Sequence, residues 1–359
     1  MSMFRSPKTK YVGVVLLVLL MGVLAGCYPE HQQSTFDPQG PVARSQLTLF
    51  YWIFWTAVVV FVLVEAALVY TVIRYRRKAG DGVPPQTHGH TPLEITWTVI
   101  PALILVVVAV PTIKTLFYNA NSPHPPEEGG MTIDVTGVQW WWEFRYLNDI
   151  NNPDDDVVTA NELHIPVGKP VNIRLHSRDV IHSFWIPKIA GKVDLVPNND
   201  NHMWIQADEP GEYLGQCAEF CGIAHALMRF RVFAQPQAEF DAWLAAQDAP
   251  AKDPIDPLAL EGKALFEGAG QCFACHTIEG VARARGRTGP NLTHLGSRTT
   301  IAAGILENNQ ENLRKWIADP EALKPGNVMA RTAQIYTDPT KHLTEAQISA
   351  IVQYLMTLD

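Results

Sequence analysis

Two apolar runs, residues 49–73 and 93–118, constrain this chain more than anything else in it. At about 1.5 Å of rise per helical residue each can cross a hydrocarbon core of about 30 Å, where only helices and closed barrels satisfy their own backbone. The pair predicts a transmembrane helical hairpin over residues 46–120. Its turn begins Arg74-Tyr75-Arg76-Arg77-Lys78, a cationic cluster that belongs on the cytoplasmic side, so everything after Tyr118 lies outside. Glu65 in the first run and Glu94 at the start of the second occupy positions costly for an ionisable group, tolerated against a partner protein or water. Glu65 reads as a plain helix contact. Pro101 and Pro111 bend the second helix, whose freed carbonyls neighbouring membrane helices cover.

Ahead of the hairpin, Lys8 and Lys10 precede apolar residues 12–24 and then Leu24-Ala25-Gly26-Cys27. A basic flank, an apolar stretch and small residues before a cysteine resemble a bacterial lipoprotein signal. This predicts a signal over residues 1–26, a lipid anchor on Cys27 and an exported segment 27–45, an uncleaved anchor being the alternative. The net charge of −8, with no long basic run away from the membrane flanks, argues against nucleic acid as a partner.

Beyond the hairpin the pattern changes. Between residues 131 and 235, short alternating runs such as Thr132-Ile133-Asp134-Val135-Thr136 and Arg229-Phe230-Arg231-Val232-Phe233 are separated by Pro, Gly and Asn clusters. They predict an antiparallel β-sandwich or barrel. Its last part contains Gln216-Cys217-Ala218-Glu219-Phe220-Cys221-Gly222-Ile223-Ala224-His225-Ala226-Leu227-Met228, crowding two thiols, an imidazole and a thioether into a dozen residues. Tetrahedral zinc from Cys217, Cys221, His225 and a distant histidine such as His182 is one reading. Met228 favours copper instead, and two thiolates on one short loop can bridge two copper ions. Shared sulfurs spread one electron over both metals, so little reorganises on reduction. Of the three adjacent tryptophans, Trp140 to Trp142, most rings on a strand are core.

Residues 247–257, QDAPAKDPIDP, read as a linker. After it, Cys272-Phe273-Ala274-Cys275-His276 is the C-x-x-C-H signature of covalent c-type haem attachment, with Cys272 and Cys275 forming the thioethers and His276 on the iron. A thioredoxin-type redox pair is the alternative, but no βαβ context surrounds it. Met329, in a Pro-Gly-Asn loop, is the expected sixth iron ligand, with Met356, His294 and His342 as competitors. Thr344 and Gln347 form a capping box for a terminal helix that places Ile348, Ile351, Val352 and Leu355 on one face. An all-α unit over residues 258–359 follows.

Taken in order, Leu93 to Pro101, Gln139-Trp140-Trp141-Trp142-Glu143-Phe144, Asp179 to Phe184 and the Cys217 to Met228 loop resemble subunit II of cytochrome c oxidase over residues 45–235. The segment from 258 onward resembles a class I cytochrome c domain, and the fusion resembles subunit II of bacterial caa-type haem–copper oxidases. The resemblance implies a cupredoxin-like Greek-key sandwich. It implies a dinuclear copper centre, CuA, held by His182, Cys217, Cys221, His225, Met228 and the backbone carbonyl of Glu219, whose carboxylate lies towards a Mg²⁺ shared with subunit I. Trp140 becomes a surface ring where electrons enter, and Glu94 the cytoplasmic mouth of a proton path. Electrons would run from a cytochrome c or other donor through haem c and CuA to subunit I, which reduces oxygen while protons are pumped. Subunits I and III are the implied partners, in the bacterial inner membrane. Two rivals remain: a copper-delivery protein, which has no use for Met228 or a haem domain, and a quinol oxidase subunit II, which lacks the copper ligands.

Overall fold

The computed structural model describes residues 31–80, 82–84, 86, 88–147 and 156–359, with residues 11, 13–15, 17–19 and 21–22 of the amino-terminal run. Lys8, Lys10 and Cys27, on which the lipoprotein expectation rests, lie outside the described residues.

Helices α1 (Pro41–Arg74) and α2 (Thr91–Ala120) are both long and apolar enough to cross a membrane, and their central side chains face outward. α2 continues through Pro101 and Pro111. Pro41 opens α1 at a position where a missing N–H costs nothing. The helix therefore starts before the apolar run, and its first turn is held by the domain that follows the hairpin: Ala43 donates to the Ile189 carbonyl at 3.2 Å, and Val42 is buried. At the far end of α2, the Tyr118 carbonyl accepts from Trp204 Nε1 at 3.3 Å.

Among the described residues of the next domain ten strands follow: β1 (Thr132–Val138), β2 (Trp141–Tyr146), β3 (Val157–Ala160), β4 (Glu162–Pro166), β5 (Val171–Ser177), β6 (His182–Trp185), β7 (Val193–Leu195), β8 (Asn201–Ile205), β9 (Gly211–Cys217) and β10 (Arg229–Gln235). They form two five-stranded sheets, ordered β3-β2-β1-β5-β8 and β4-β10-β9-β6-β7. The expectation of a purely antiparallel sandwich needs correction. β1 pairs with β5, and β10 with β4, in parallel, because between the members of each pair the chain crosses to the opposite sheet and returns. Between the sheets an aromatic cluster carries the packing: Phe184 stacks on Phe230 at 4.6 Å, Trp142 meets Phe230 edge-on at 5.3 Å, and all three are buried. Each such side chain contributes about 1.5–3 kcal/mol of burial.

Trp140 precedes β2, and the three tryptophans split up. Trp142 enters the core, whereas Trp140 and Trp141 face the carboxyl-terminal domain.

That domain is helical apart from a two-stranded ribbon, Thr300–Ile301 paired with Leu306–Glu307, so the all-α expectation holds for its helices and not for this ribbon. α4 (Pro257–Glu267), whose N-terminus Asp256 caps, crosses the terminal helix so closely that a side chain on Gly262 would strike the Ala350 carbonyl. The terminal helix, Glu345–Leu355, opens with the Thr344–Gln347 capping box, and Ile348, Ile351, Val352 and Leu355 are all buried. The expected linker is only partly one. α3 (Gln237–Gln247) occupies its first residue, and the carbonyls of Gln247 and Ala249 accept from the buried His294 Nε2 at 3.1 and 3.0 Å. Ala251 N donates to the Glu279 carbonyl at 2.9 Å. The helical domain is thus seated on the sandwich, at the end that carries the Cys217 to Met228 loop.

Candidate functional site

β9 ends at Cys217 and β10 begins at Arg229, its antiparallel partner across the register Arg229↔Gln216, so the donor-rich segment is the loop joining two paired strands. His182, far upstream, opens β6, which pairs with β9 through Phe184↔Cys217. Strand pairing therefore brings a distant histidine to the first cysteine. Cys217 Sγ lies 3.8 Å from His182 Nδ1 and 3.8 Å from Cys221 Sγ. Cys221 Sγ lies 3.5 Å from His225 Nδ1 and 3.9 Å from Met228 Sδ, and the Glu219 carbonyl is 3.3 Å from Cys217 Sγ. All six sequence-predicted donors converge. His182, Cys217, Cys221 and Met228 are buried.

The surroundings orient this set. Asp179 Oδ1 accepts from His182 Nε2 at 2.8 Å, which leaves Nδ1 turned towards the sulfurs. Hydrogen bonding to Cys221, with help from His182 and backbone donors, holds the Cys217 thiol well below its usual range, and the resulting neighbour pushes Cys221 up. One anionic sulfur shared beside a second is a donor set suited to soft metal ions. Trp140 Nε1 donates to the Cys221 carbonyl at 3.0 Å, so its ring abuts the loop that bears the thiols. The expectation of a surface ring fails for this arrangement: Trp140 is 5% exposed because the helical domain covers it.

The helical domain holds a large cavity lined by Cys272, Cys275, His276 and Met329 together with Phe266, Leu292, Leu313 and Ile351. His276 Nδ1 donates to the Pro290 carbonyl at 2.9 Å, fixing the tautomer and freeing Nε2. Burial lowers its pKa, against the pull of that carbonyl. A Cβ on Gly289 would stand 2.5 Å from the His276 ring, so only glycine lets the chain pass behind it. Arg298 also lines the cavity. It is half-buried, burial lowers its pKa to about 10, and its Nε finds no protein partner. An apolar slot with two thiols, an imidazole, a thioether and one unsatisfied guanidinium N–H fits a porphyrin with acidic side chains. His294, His342 and Met356 do not line it; His294 is spent on the 247–249 carbonyls.

Glu94 stands apart from both sites, in the first turn of α2, where its carboxylate accepts from His90 N at 3.0 Å while His90 Nδ1 accepts from Leu93 N at 3.3 Å. That reciprocal pattern is a helix cap. The Glu219 carboxylate is half exposed, 3.6 Å from Lys192 Nζ.

Three family patterns match the chain: "Cytochrome C oxidase subunit II, transmembrane domain" over residues 29–115, "Cytochrome C oxidase subunit II, periplasmic domain" over 155–234, and "Cytochrome c" over 259–359. Cytochrome c oxidase subunit 2 of Alkalihalophilus pseudofirmus is 43% identical over 345 residues, covering 93% of either chain. The chain belongs to the cytochrome c oxidase subunit II family. Among its relatives, subunit 2 of Bacillus sp. strain PS3 is 41% identical over 79% of this chain and 80% of its own. Quinol oxidase subunit 2 of Bacillus anthracis is 33% identical, over 67% of this chain and 81% of its own. As a member carrying a cytochrome c domain, this subunit II is an electron-transfer part of a membrane oxidase complex, with copper in its sandwich and haem c in its helical domain.

Four residues that matter to these sites carry no local sequence signal of their role. Asp179 lies in a segment quoted for resemblance alone, Arg298 in a plain surface-like stretch, and Glu162 and Lys324 acquire partners only across the domain boundary.

Proposed function

We propose that this subunit II is of the caa type. Its copper is the dinuclear CuA centre, held by His182, Cys217, Cys221, His225, Met228 and the carbonyl of Glu219. Its haem c is joined to Cys272 and Cys275, with His276 and Met329 as axial ligands. The observation that carries this reading is the convergence of six soft and borderline donors beside Trp140, on whose other side the Cys272–Met329 cavity opens. When bound, the two groups supply one-electron carriers, passing electrons from a cytochrome c or other donor towards subunit I. The protein's own residues hold them close and dry: Asp179 orients His182, Pro290 orients His276, and the Trp140 ring bridges the loop and the cavity. Trp140 is then the point where electrons reach the copper loop.

Stopped-flow mixing of the purified oxidase with reduced cytochrome c tests both claims. Haem c should be reduced before copper. Trp140→Phe should slow the second phase roughly tenfold, equivalent to about 1.4 kcal/mol of barrier, and leave the first unchanged. Copper reduced first, or a second phase indifferent to Trp140, contradicts the route.

The domain limits that go with this reading are a signal over 1–26, an exported segment 27–45 with a lipid on Cys27, the hairpin 46–120, the CuA domain 131–235 and the cytochrome c domain 258–359. The sandwich and cytochrome face outward, supported by the Arg74 to Lys78 turn on the opposite side. Glu219 reaches a Mg²⁺ shared with subunit I, and subunit III completes the complex. Glu94 serves as the cytoplasmic mouth of a proton path, in addition to capping α2. Glu94→Gln keeps an oxygen for the His90 N–H, so helix capping persists while the ionisable group is lost. Turnover should fall about tenfold with copper and haem c spectra unchanged. Turnover equal to wild type across the pH range would leave Glu94 a cap alone.

A further inference from the structure

Lys324 and Glu162 are charged, buried, and explained by neither domain alone. Lys324, in the loop that leads to Met329, is 3% exposed, and its ammonium donates to the carbonyls of Trp140 at 2.6 Å and Ala302 at 3.2 Å. Glu162, on β4 of the sandwich, is 4% exposed. Its Oε1 accepts from Thr300 N and Thr299 Oγ1, each at 2.7 Å, and from Thr299 N and Thr300 Oγ1, each at 2.9 Å. Each domain thus inserts one charged side chain into the other. Between them Ala303 packs on Trp141 and Ala160, and a side chain on Gly326 would strike Ile223 of the copper loop and stand 3.5 Å from the Trp140 ring.

Burying an ionised group is costly unless the site satisfies it with hydrogen bonds; here every donor to Glu162, and one of the two acceptors of Lys324, comes from the opposite domain. Separation returns both charges to water, so their desolvation offsets part of the apolar contact and keeps the closure reversible. Closure also removes Trp140 from the surface, and an outside carrier cannot touch a covered ring.

We propose that Lys324 and Glu162 are positioning residues that latch the cytochrome domain over Trp140, so that copper is reduced only from the tethered haem and soluble donors are shut out until the latch opens. The proposal rests on the reading that this chain carries both haem c and the copper pair. In each transfer the haem is oxidised by one electron and the copper pair reduced by one; no bond or proton changes place.

The test uses Lys324→Met and Glu162→Ala in the whole purified oxidase. The Arg229 amide, which donates to the Ala303 carbonyl across the interface at 3.3 Å, touches neither substituted side chain and reports closure by hydrogen exchange. Its protection should fall about tenfold in either variant, a loss equivalent to about 1.4 kcal/mol. Haem-to-copper transfer should slow about tenfold, while soluble reduced cytochrome c gains a direct phase of copper reduction about tenfold faster than in wild type. A merely destabilised variant would slow both. Arg229 remaining protected in both variants, or internal transfer keeping its rate once protection is lost, overturns the latch. Should Lys324→Met alter the haem spectrum, Glu162→Ala, which lies in the sandwich, decides. Absence of haem c or copper signals in the wild-type sample would instead refute the underlying reading.

Discussion

Cys217→Ser or Cys221→Ser is expected to abolish the sharing of one electron between two coppers and to lower copper affinity by more than about 100-fold, beyond the loss typical of removing a mere orienting partner. The two sulfurs lie 3.8 Å apart, Cys217 beside His182 and Cys221 beside His225 and Met228, so each thiol stands between the other and its own imidazole. A serine hydroxyl stays protonated where a thiol ionises and makes a poor ligand for copper. Electron-spin hyperfine structure and metal analysis of the purified protein check this. Wild type should hold two coppers with the spin on both. One zinc, or one isolated copper, would refute the pair and return the loop to the tetrahedral reading.

Met329→Leu should erase the weak sulfur-to-iron band in the far-red of the oxidised spectrum and lower the haem potential, with the covalent haem retained. Loss of a thioether removes a ligand that stabilises reduced iron, and a shift on the order of 100 mV is a modest part of the range of about 0.8 V that axial ligands command. The geometry narrows the competition. Met329 lines the cavity with His276, whereas Met356 packs against the helical core, His294 is hydrogen-bonded to Gln247 and Ala249, and His342 lines a different surface hollow. Redox titration with optical detection checks the shift. A band that survives in Met329→Leu and disappears in Met356→Leu would require the terminal helix to carry the ligand.

Much of this protein was readable because its chemistry is written in short spacings. Cysteines four apart, with a histidine and a methionine beyond them, stay together in any turn between paired strands, and C-x-x-C-H is local by construction. The membrane hairpin was equally legible, since length and hydropathy decide it before any packing does. His182 was harder: it stood as a candidate distant ligand that resemblance then favoured, and the physical cause of its placement is the pairing of β6 with β9, a register that no local pattern encodes. The parallel pairs β1–β5 and β4–β10 escaped for the same reason, because alternation reveals which residues face inward but not which strand lies alongside.

By itself, then, the sequence determined two helices for the membrane, a donor-rich loop and a haem-attachment signature on separate units, because hydropathy and ligand spacing act over a few residues. Only the tertiary structure decided how those units meet. Residues 247–257 looked like a free tether and Trp140 like an exposed ring, yet His294 ties the tether down and the cytochrome domain covers the ring. Nothing in the neighbouring sequence marks Lys324 or Glu162, because their partners across the domain boundary stand 184 and 138 residues away along the chain. Their energetic meaning arises from desolvation, which depends on what surrounds a charge in space and has no signature in its neighbours along the sequence.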